Sequence, residues 1–269
     1  MIRYPSKRLP RVDLDRVTDA DISATWSANA DLWDAGYDER GDENRRYLSD
    51  PVLLALLGDV RGQRVLDAGS GAGYLARTLA NIGARMVAVE NATRFHELAV
   101  AYQQREPLDI ELHHASISSM PFLPAASADA AVANYVLMDV RDYETAVAEI
   151  ARVLKPGGRF VCALTRWSLD GRWHVPAADS PRIEDRAYWM DDDYFIRRAG
   201  YIQWGLFKPF LSFHRPLRDY IAACRTAGLE LRDLDEPELT EDGLRTLDPV
   251  RAQHYRRVSF AYILKFVKT

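Results

Sequence analysis

Asp67, Gly69, Gly71 and Gly73, within Arg64-Val65-Leu66-Asp67-Ala68-Gly69-Ser70-Gly71-Ala72-Gly73-Tyr74, have the types and spacing to hold a nucleoside-bearing ligand. Val65 and Leu66 read as a buried parallel strand, and the alternate glycines let the backbone turn sharply without Cβ clashes. Helical spacing resumes at Tyr74, with Leu75 and Leu79 four apart on one face. An adenosine can then lie against bare N–H groups at a helix start. Arg85-Met86-Val87-Ala88-Val89-Glu90 reads as a second strand ending in an acid 21 residues after Gly69. A carboxylate at that distance is where doubly wound sheets hold a ribose diol.

The turn is Gly-x-Gly-x-Gly preceded by Asp67, not Gly-x-Gly-x-x-Gly. That favours S-adenosylmethionine over a dinucleotide, because the sulfonium cofactor has no pyrophosphate and its amino group wants an acceptor nearby. The same spacing argues against a nicotinamide-dependent oxidoreductase. Five segments occur in order: VLDAGSGAGYLARTLA (65 to 80), VAVE (87 to 90), SADAAVANYVLMDV (127 to 140), RVLKPGGRFV (152 to 161) and FHRPLRDYIAACRTAGLEL (213 to 231). Together they resemble the class I S-adenosylmethionine-dependent methyltransferases, in the small-molecule branch that includes menaquinone- and ubiquinone-type enzymes. The resemblance implies an α/β fold: a doubly wound, Rossmann-like, seven-stranded sheet with an antiparallel last strand, an N-terminal helical cap and an aromatic-rich insertion after the fifth strand.

It also implies residue roles. Asp67, Glu90 and the neighbouring Asn91 anchor the cofactor, with Gly69, Gly71 and Gly73 in the turn. An aromatic residue near Tyr37 covers the methionine end. Many relatives place an acid on the loop after the third strand to meet the adenine amine; here Ser116 stands at the matching position, leaving backbone contacts from Ser116 and Ile117. Asn134, Tyr135, Met138 and Asp139 fall at the C-terminal end of the fourth strand, where open α/β sheets place their crevice. Asn134 is read as a cofactor contact. Asp139, at a position where relatives carry Asp or His, is read as a candidate base or a loop cap. Asn134-Tyr135-Val136-Leu137 replaces the Asn/Asp-Pro-Pro-Tyr run with which relatives grip a nucleobase.

Composition narrows the partners. The 269 residues carry a formal net charge of −4, which offers no general attraction to nucleic acid or an anionic membrane, so a small-molecule acceptor is expected. Hydrophobic residues at 48% and charged residues at 28% suit one globular core. Cys162 and Cys224 fall inside a predicted strand and a predicted helix and read as small buried hydrophobes. No metal-ligand spacing, 18-residue apolar run or signal-peptide segment is found, and a cytoplasmic protein is expected.

The chain divides into an N-terminal cap (1–60), a cofactor-binding core (61–165), a cover insertion (166–212) and the C-terminal part of the sheet (213–269), all within one domain. Residues 1 to about 17 read as an irregular arm broken by Pro5 and Pro10. Ile22, Trp26, Ala30 and Trp33 recur at helical steps, so one amphipathic helix spans Asp19 to Trp33. Asp50-Pro51 reads as a helix cap followed by proline at the first position.

The insertion lacks periodicity but gathers Trp167, Trp173, Tyr188, Trp189, Tyr194, Phe195, Tyr201, Trp204, Phe207 and Phe210. Such rings wall an apolar acceptor pocket or form a homodimer interface. His214, just before a helix, is a second candidate base. The expected reaction is methyl transfer to a small aromatic or apolar acceptor, with oxygen favoured slightly over nitrogen or carbon. The alternatives are a non-catalytic cofactor-binding subunit and an enzyme that uses the cofactor otherwise, for instance in a cyclisation.

Overall fold

The protein is described by a computed structural model that covers residues 11–13, 16–39, 41–166, 194–203, 205–256 and 259–269. Its strands are β1 (Arg11–Val12), β2 (Arg64–Ala68), β3 (Arg85–Glu90), β4 (Ile110–His114), β5 (Ala128–Asn134), β6 (Leu154–Thr165), β7 (Arg198–Ile202), β8 (Phe210–His214), β9 (Leu229–Asp235) and β10 (Ala261–Lys268). The helices are α1 (Asp19–Ser27), α2 (Ala30–Asp34), α3 (Asp50–Leu57), α4 (Tyr74–Asn81), α5 (Thr93–Arg105), α6 (Tyr143–Val153), α7 (Leu217–Thr226), α8 (Glu241–Thr246) and α9 (Pro249–Tyr255).

Seven strands form one sheet in the order β4-β3-β2-β5-β6-β10-β9, with β10 antiparallel to both neighbours. β2 lies between β3 and β5 and is parallel to both, and the chain changes winding direction at the β2–β5 pair. Ligands bind at such a switch point, beyond the carboxyl ends of the strands. Alternation along the strands feeds two cores. Leu66, Val87, Ala131 and Phe160 pack with Val147 and Ile150 of α6 and Cys224 of α7. Val65, Met86, Val132 and Val161 pack with Leu53 and Leu57 of α3 and Leu75 and Leu79 of α4. Each such fully buried aliphatic side chain is worth about 1.5–3 kcal/mol. Cys162 and Cys224 are buried and unbridged, and burial pushes the Cys224 thiol up to about 12.

The structure changes several local expectations. The arm 1–17 contributes β1, which pairs antiparallel with β7, and β7 pairs antiparallel with β8. The last two of these strands lie in the stretch read as aperiodic. The Asp19–Trp33 helix is broken because the Asn29 amide donates to Thr25 O and Lys208 O and accepts from Lys208 N, which ties it to the segment before β8. Asp50 does not cap α3: a wide π-type turn over Arg45–Ser49 runs straight into the helix, and the Asp50 carboxylate accepts from Tyr74 and Asn134 instead. β5 stops at Asn134 because Tyr135 turns to φ 60°. β6 begins at Leu154, so the Pro156-Gly157-Gly158 run lies inside a strand whose pairing with β5 shifts between Ala128 and Ala130. Trp167, Trp173, Tyr188, Trp189 and Trp204 lie outside the described residues.

Candidate functional site

β2 delivers Asp67 to the mouth of the sheet, and the glycine turn follows with φ values of 82° at Gly69, 55° at Gly71 and 81° at Gly73. The N–H groups of Gly69 and Ser70 donate to Val89 O, which fixes the turn against the end of β3. There Glu90 accepts from Gly71 N–H through Oε2 at 2.8 Å and from Ala92 N–H through Oε1 at 2.6 Å. Burial raises the Glu90 pKa and these two donors oppose the rise. Each oxygen keeps a second lone pair, so the carboxylate is oriented and can still meet a diol.

Asp67 is only 1% exposed, and its Oδ2 has no hydrogen-bond partner among the described residues. Burial, reinforced by the negative charge of Glu90, pushes its carboxyl up to about 7. A buried oxygen left without a donor is costly, and an ammonium group placed against it recovers that cost. Beside it the Asn134 amide donates to Tyr74 Oη at 2.8 Å and Asp50 Oδ1 at 3.2 Å, while the Tyr74 hydroxyl donates to Asp50 Oδ2 at 2.8 Å.

Arg45 stands on the wide turn before α3, and its guanidinium carbon lies 5.1–5.9 Å from the ring centres of Trp33, Tyr37, Tyr74 and Tyr135. One nitrogen donates to Asp42 at 2.9 Å, and Nε has no partner among the described residues. Four ring faces stabilise the cation where water is scarce. Among the described residues that line the cleft Arg45 is the only cation, and it complements a carboxylate.

A short 3-10 turn, Leu137–Asp139, follows β5. Asp139 Oδ1 is buried with no partner among the described residues, and burial pushes its carboxyl up to about 7, against the opposing pull of Ser212 and Arg215. Arg215 holds this turn by donating to Leu137 O at 3.2 Å and to Val140 O and Arg141 O at 2.8 Å each.

One cleft brings together Tyr37, Asp67, Gly69, Gly71, Glu90, Asn91, Ser116, Ile117, Asn134 and Asp139. Two expected site residues stand apart from its lining. Gly73 is the left-handed residue that starts α4, facing Arg77 and Ala99. His214 is a correction: it ends β8, is buried, and its Nε2 lies 2.7 Å from Tyr194 O. A ring nitrogen facing a carbonyl carries the proton, so Nε2 cannot take one from an acceptor.

Residues that sequence reading missed also line the cleft. They are Arg45, Trp26, Trp33, Tyr74 and Phe95, and Trp26 and Trp33 pack edge to face at 5.3 Å. The helical spacing of the two tryptophans was a visible signal, but it reads equally as packing on the sheet. Arg45 sits in a charge-rich run with no such signal. An oriented carboxylate, a buried acid with one oxygen unmet among the described residues, a caged cation and aromatic walls fit the ribose, amine, carboxylate and sulfonium of S-adenosylmethionine.

Residues 66–162 match the family described as a methyltransferase domain. Over 145 residues the chain is 28% identical to a ubiquinone biosynthesis O-methyltransferase of Xanthomonas oryzae, covering 52% of this chain and 59% of that protein. Over 156 residues it is 30% identical to a demethylmenaquinone methyltransferase of Renibacterium salmoninarum, covering 58% of this chain and 62% of that one. The chain thus spans about six-tenths of the length of these curated relatives.

Among solved structures, a Mesorhizobium loti S-adenosylmethionine-dependent methyltransferase superposes with a TM-score of 0.67 at 18% identity, over 86% of this chain and 100% of that one. The Burkholderia thailandensis 1,6-didemethyltoxoflavin-N1-methyltransferase, solved with S-adenosylhomocysteine, gives 0.62 at 18% identity, over 100% and 99%. At that identity the likeness establishes the fold. By domain match, residues 66–162 carry a methyltransferase domain, and sheet order and glycine turn give the chain the fold of the S-adenosylmethionine-dependent methyltransferases it resembles.

Proposed function

We propose that this chain transfers a methyl group to a small aromatic or apolar acceptor, with a hydroxyl oxygen as the favoured site. The observation that carries the reading is the presence, in one cleft, of the Asp67 carboxylate, whose Oδ2 has no partner among the described residues, and the caged Arg45 guanidinium, an arrangement complementary to an amino-acid zwitterion. Glu90 takes the ribose diol, Asp67 the amine and Arg45 the carboxylate. Asn91, Ser116 and Ile117 border the adenine, and Tyr37 and Asn134 border the methionine end. When bound, the cofactor supplies an electrophilic methyl group.

The residues of the chain then do three things. The aromatic walls exclude water, the cleft holds the acceptor at near-attack distance, and Asp139 takes the proton of a hydroxyl acceptor. A carboxyl raised toward neutrality is a stronger base than an ordinary aspartate and is still partly ionised at pH 7. The names of the relatives, which refer to ubiquinone biosynthesis O-methylation and to demethylmenaquinone, support a ring-bearing small molecule.

Calorimetry with S-adenosylhomocysteine on wild type and Glu90→Ala, followed by labelled S-adenosylmethionine with a panel of phenols, amines and quinols, tests the reading. Binding lost by about ten- to a hundredfold in a folded variant, with label entering a phenol or quinol, is the expected result. Unchanged affinity in Glu90→Ala overturns it.

A further inference from the structure

Two of the buried polar atoms on residues lining the cleft stand apart from the cofactor assignment. Trp26 Nε1 and Asp139 Oδ1 are both buried, and neither has a hydrogen-bond partner among the described residues. One strand relates them. The Trp26 ring centre lies 4.5 Å from that of Phe210 on β8. Ser212, two residues on, donates to Met138 O at 3.3 Å and adjoins Asp139. Residues two apart share a face of a strand and are separated by about 7 Å. The donor and the acceptor are therefore anchored to neighbouring positions on one face of β8, within one cleft.

Neither atom suits an apolar occupant. An indole N–H can only donate, and leaving it unmet in an apolar cleft wastes a hydrogen bond. An Asp139 carboxylate can only accept, and in its protonated form it has one donor to place. A bare hydrocarbon ring satisfies neither, and a ring with a single hydroxyl satisfies one. A ring with a hydroxyl and a second, hydrogen-bond-accepting oxygen satisfies both.

We propose that Trp26 and Asp139 form a two-point clamp that selects an oxygenated aromatic acceptor, with its hydroxyl on Asp139 and a carbonyl or ether oxygen on the Trp26 indole N–H. The assignment rests on the methyl-transfer reading above and adds the substrate class. It also gives Trp26 a role distinct from a wall. Phenylalanine there keeps an aromatic ring against Phe210 and Trp33 and removes the indole donor.

The test is a set of titrations of the full-length protein with S-adenosylhomocysteine bound, using 3- and 4-hydroxyacetophenone, phenol and acetophenone. The expected result is that at least one hydroxyacetophenone binds about three- to tenfold tighter than either single-oxygen probe. Trp26→Phe should cancel that advantage over phenol and leave phenol itself unchanged. Asp139→Asn, a same-shape variant at the other end, should reduce phenol binding and leave acetophenone unchanged. If Trp26→Phe weakens phenol and the hydroxyacetophenones alike, or if all four probes bind equally to wild type, the clamp is wrong. The first step of the titration separates the two readings: failure to bind S-adenosylhomocysteine overturns the methyl-transfer assignment, whereas normal cofactor binding without discrimination among the probes overturns the clamp alone.

Discussion

Gly69 and Val136 interlock: a Cβ built on Gly69 would lie 2.4 Å from Val136 Cγ1 and 2.6 Å from Cγ2. The turn that opens the cofactor site and the loop that carries the acceptor wall are thus packed against each other with no room for a methyl group. Val136 cannot easily withdraw, because it follows Tyr135, a non-glycine residue held at φ 60°.

The first prediction follows from that contact. Gly69→Ala should cost about 2–4 kcal/mol, combining the penalty of a side chain at φ 82° with the clash. Val136→Ala removes both Cγ atoms, so the double variant should be less destabilised than the sum of the single ones by about 1 kcal/mol or more. Urea unfolding of the four proteins measures it, and strict additivity would show that the two residues do not meet.

How much of this was legible beforehand depended on the range of the interaction. Glu90, Asp67 and the turn glycines act through a strand-turn-helix unit contiguous in sequence, so their spacing carried the message. Arg45 lies in a charged stretch that reads as a solvated face; only the fold, which brings Trp33 of α2, Tyr37 just after it, Tyr74 of α4 and Tyr135 just after β5 around it, makes a cage. His214 precedes a proline and a helix, as an exposed residue would. Pairing of Arg198 with His214 across β7 and β8 is what buries it, and β7 has no period-2 pattern to announce it. Trp26 shows helical spacing, but its place in the cleft depends on β8, 184 residues away from it at Phe210.

A second prediction concerns protons. A carboxyl whose folded pKa is raised from 3.8 to about 7 contributes stability that is fully present below about pH 4 and is lost as pH climbs to about 7. Ligand-free Asp67→Asn should therefore be more stable than wild type at pH 8, with the gap closing toward pH 4. Binding an ammonium group beside Asp67 favours its ionised form, so S-adenosylhomocysteine should release up to about one proton at pH 6 and fewer at pH 8.5. Calorimetry in buffers of different ionisation enthalpy counts the protons, and undiminished release in Asp67→Asn would assign them elsewhere.

The Arg45 assignment makes a third prediction, which needs no acceptor. Arg45→Gln should weaken S-adenosylhomocysteine by about ten- to a hundredfold, the worth of a charge-assisted pair of about 1.5–3 kcal/mol. It should leave 5′-methylthioadenosine, which lacks the amino-acid tail, unaffected. Equal losses for both ligands would mean that Arg45 only holds the four rings together.

The fourth prediction separates two adjacent residues, Arg215 and His214. Arg215 gathers three carbonyls of the segment Leu137 to Arg141, and its guanidinium also lies over the rings of Tyr143 at 4.2 Å and Phe213 at 4.8 Å. Removing it leaves those carbonyls without their donor and releases the turn that presents Asp139, so Arg215→Met should cost about 2–4 kcal/mol. Lysine cannot reproduce the fork and should recover only part of that loss. His214→Gln keeps a side-chain N–H able to reach Tyr194 O, and its cost should be smaller. Both variants should bind S-adenosylhomocysteine as wild type does, because neither residue lines the cofactor side of the cleft. Unfolding curves and one calorimetric titration of each variant decide the matter. If His214→Gln proves the more damaging of the two, the wall that carries Asp139 is held through β8 and Tyr194, not through the arginine.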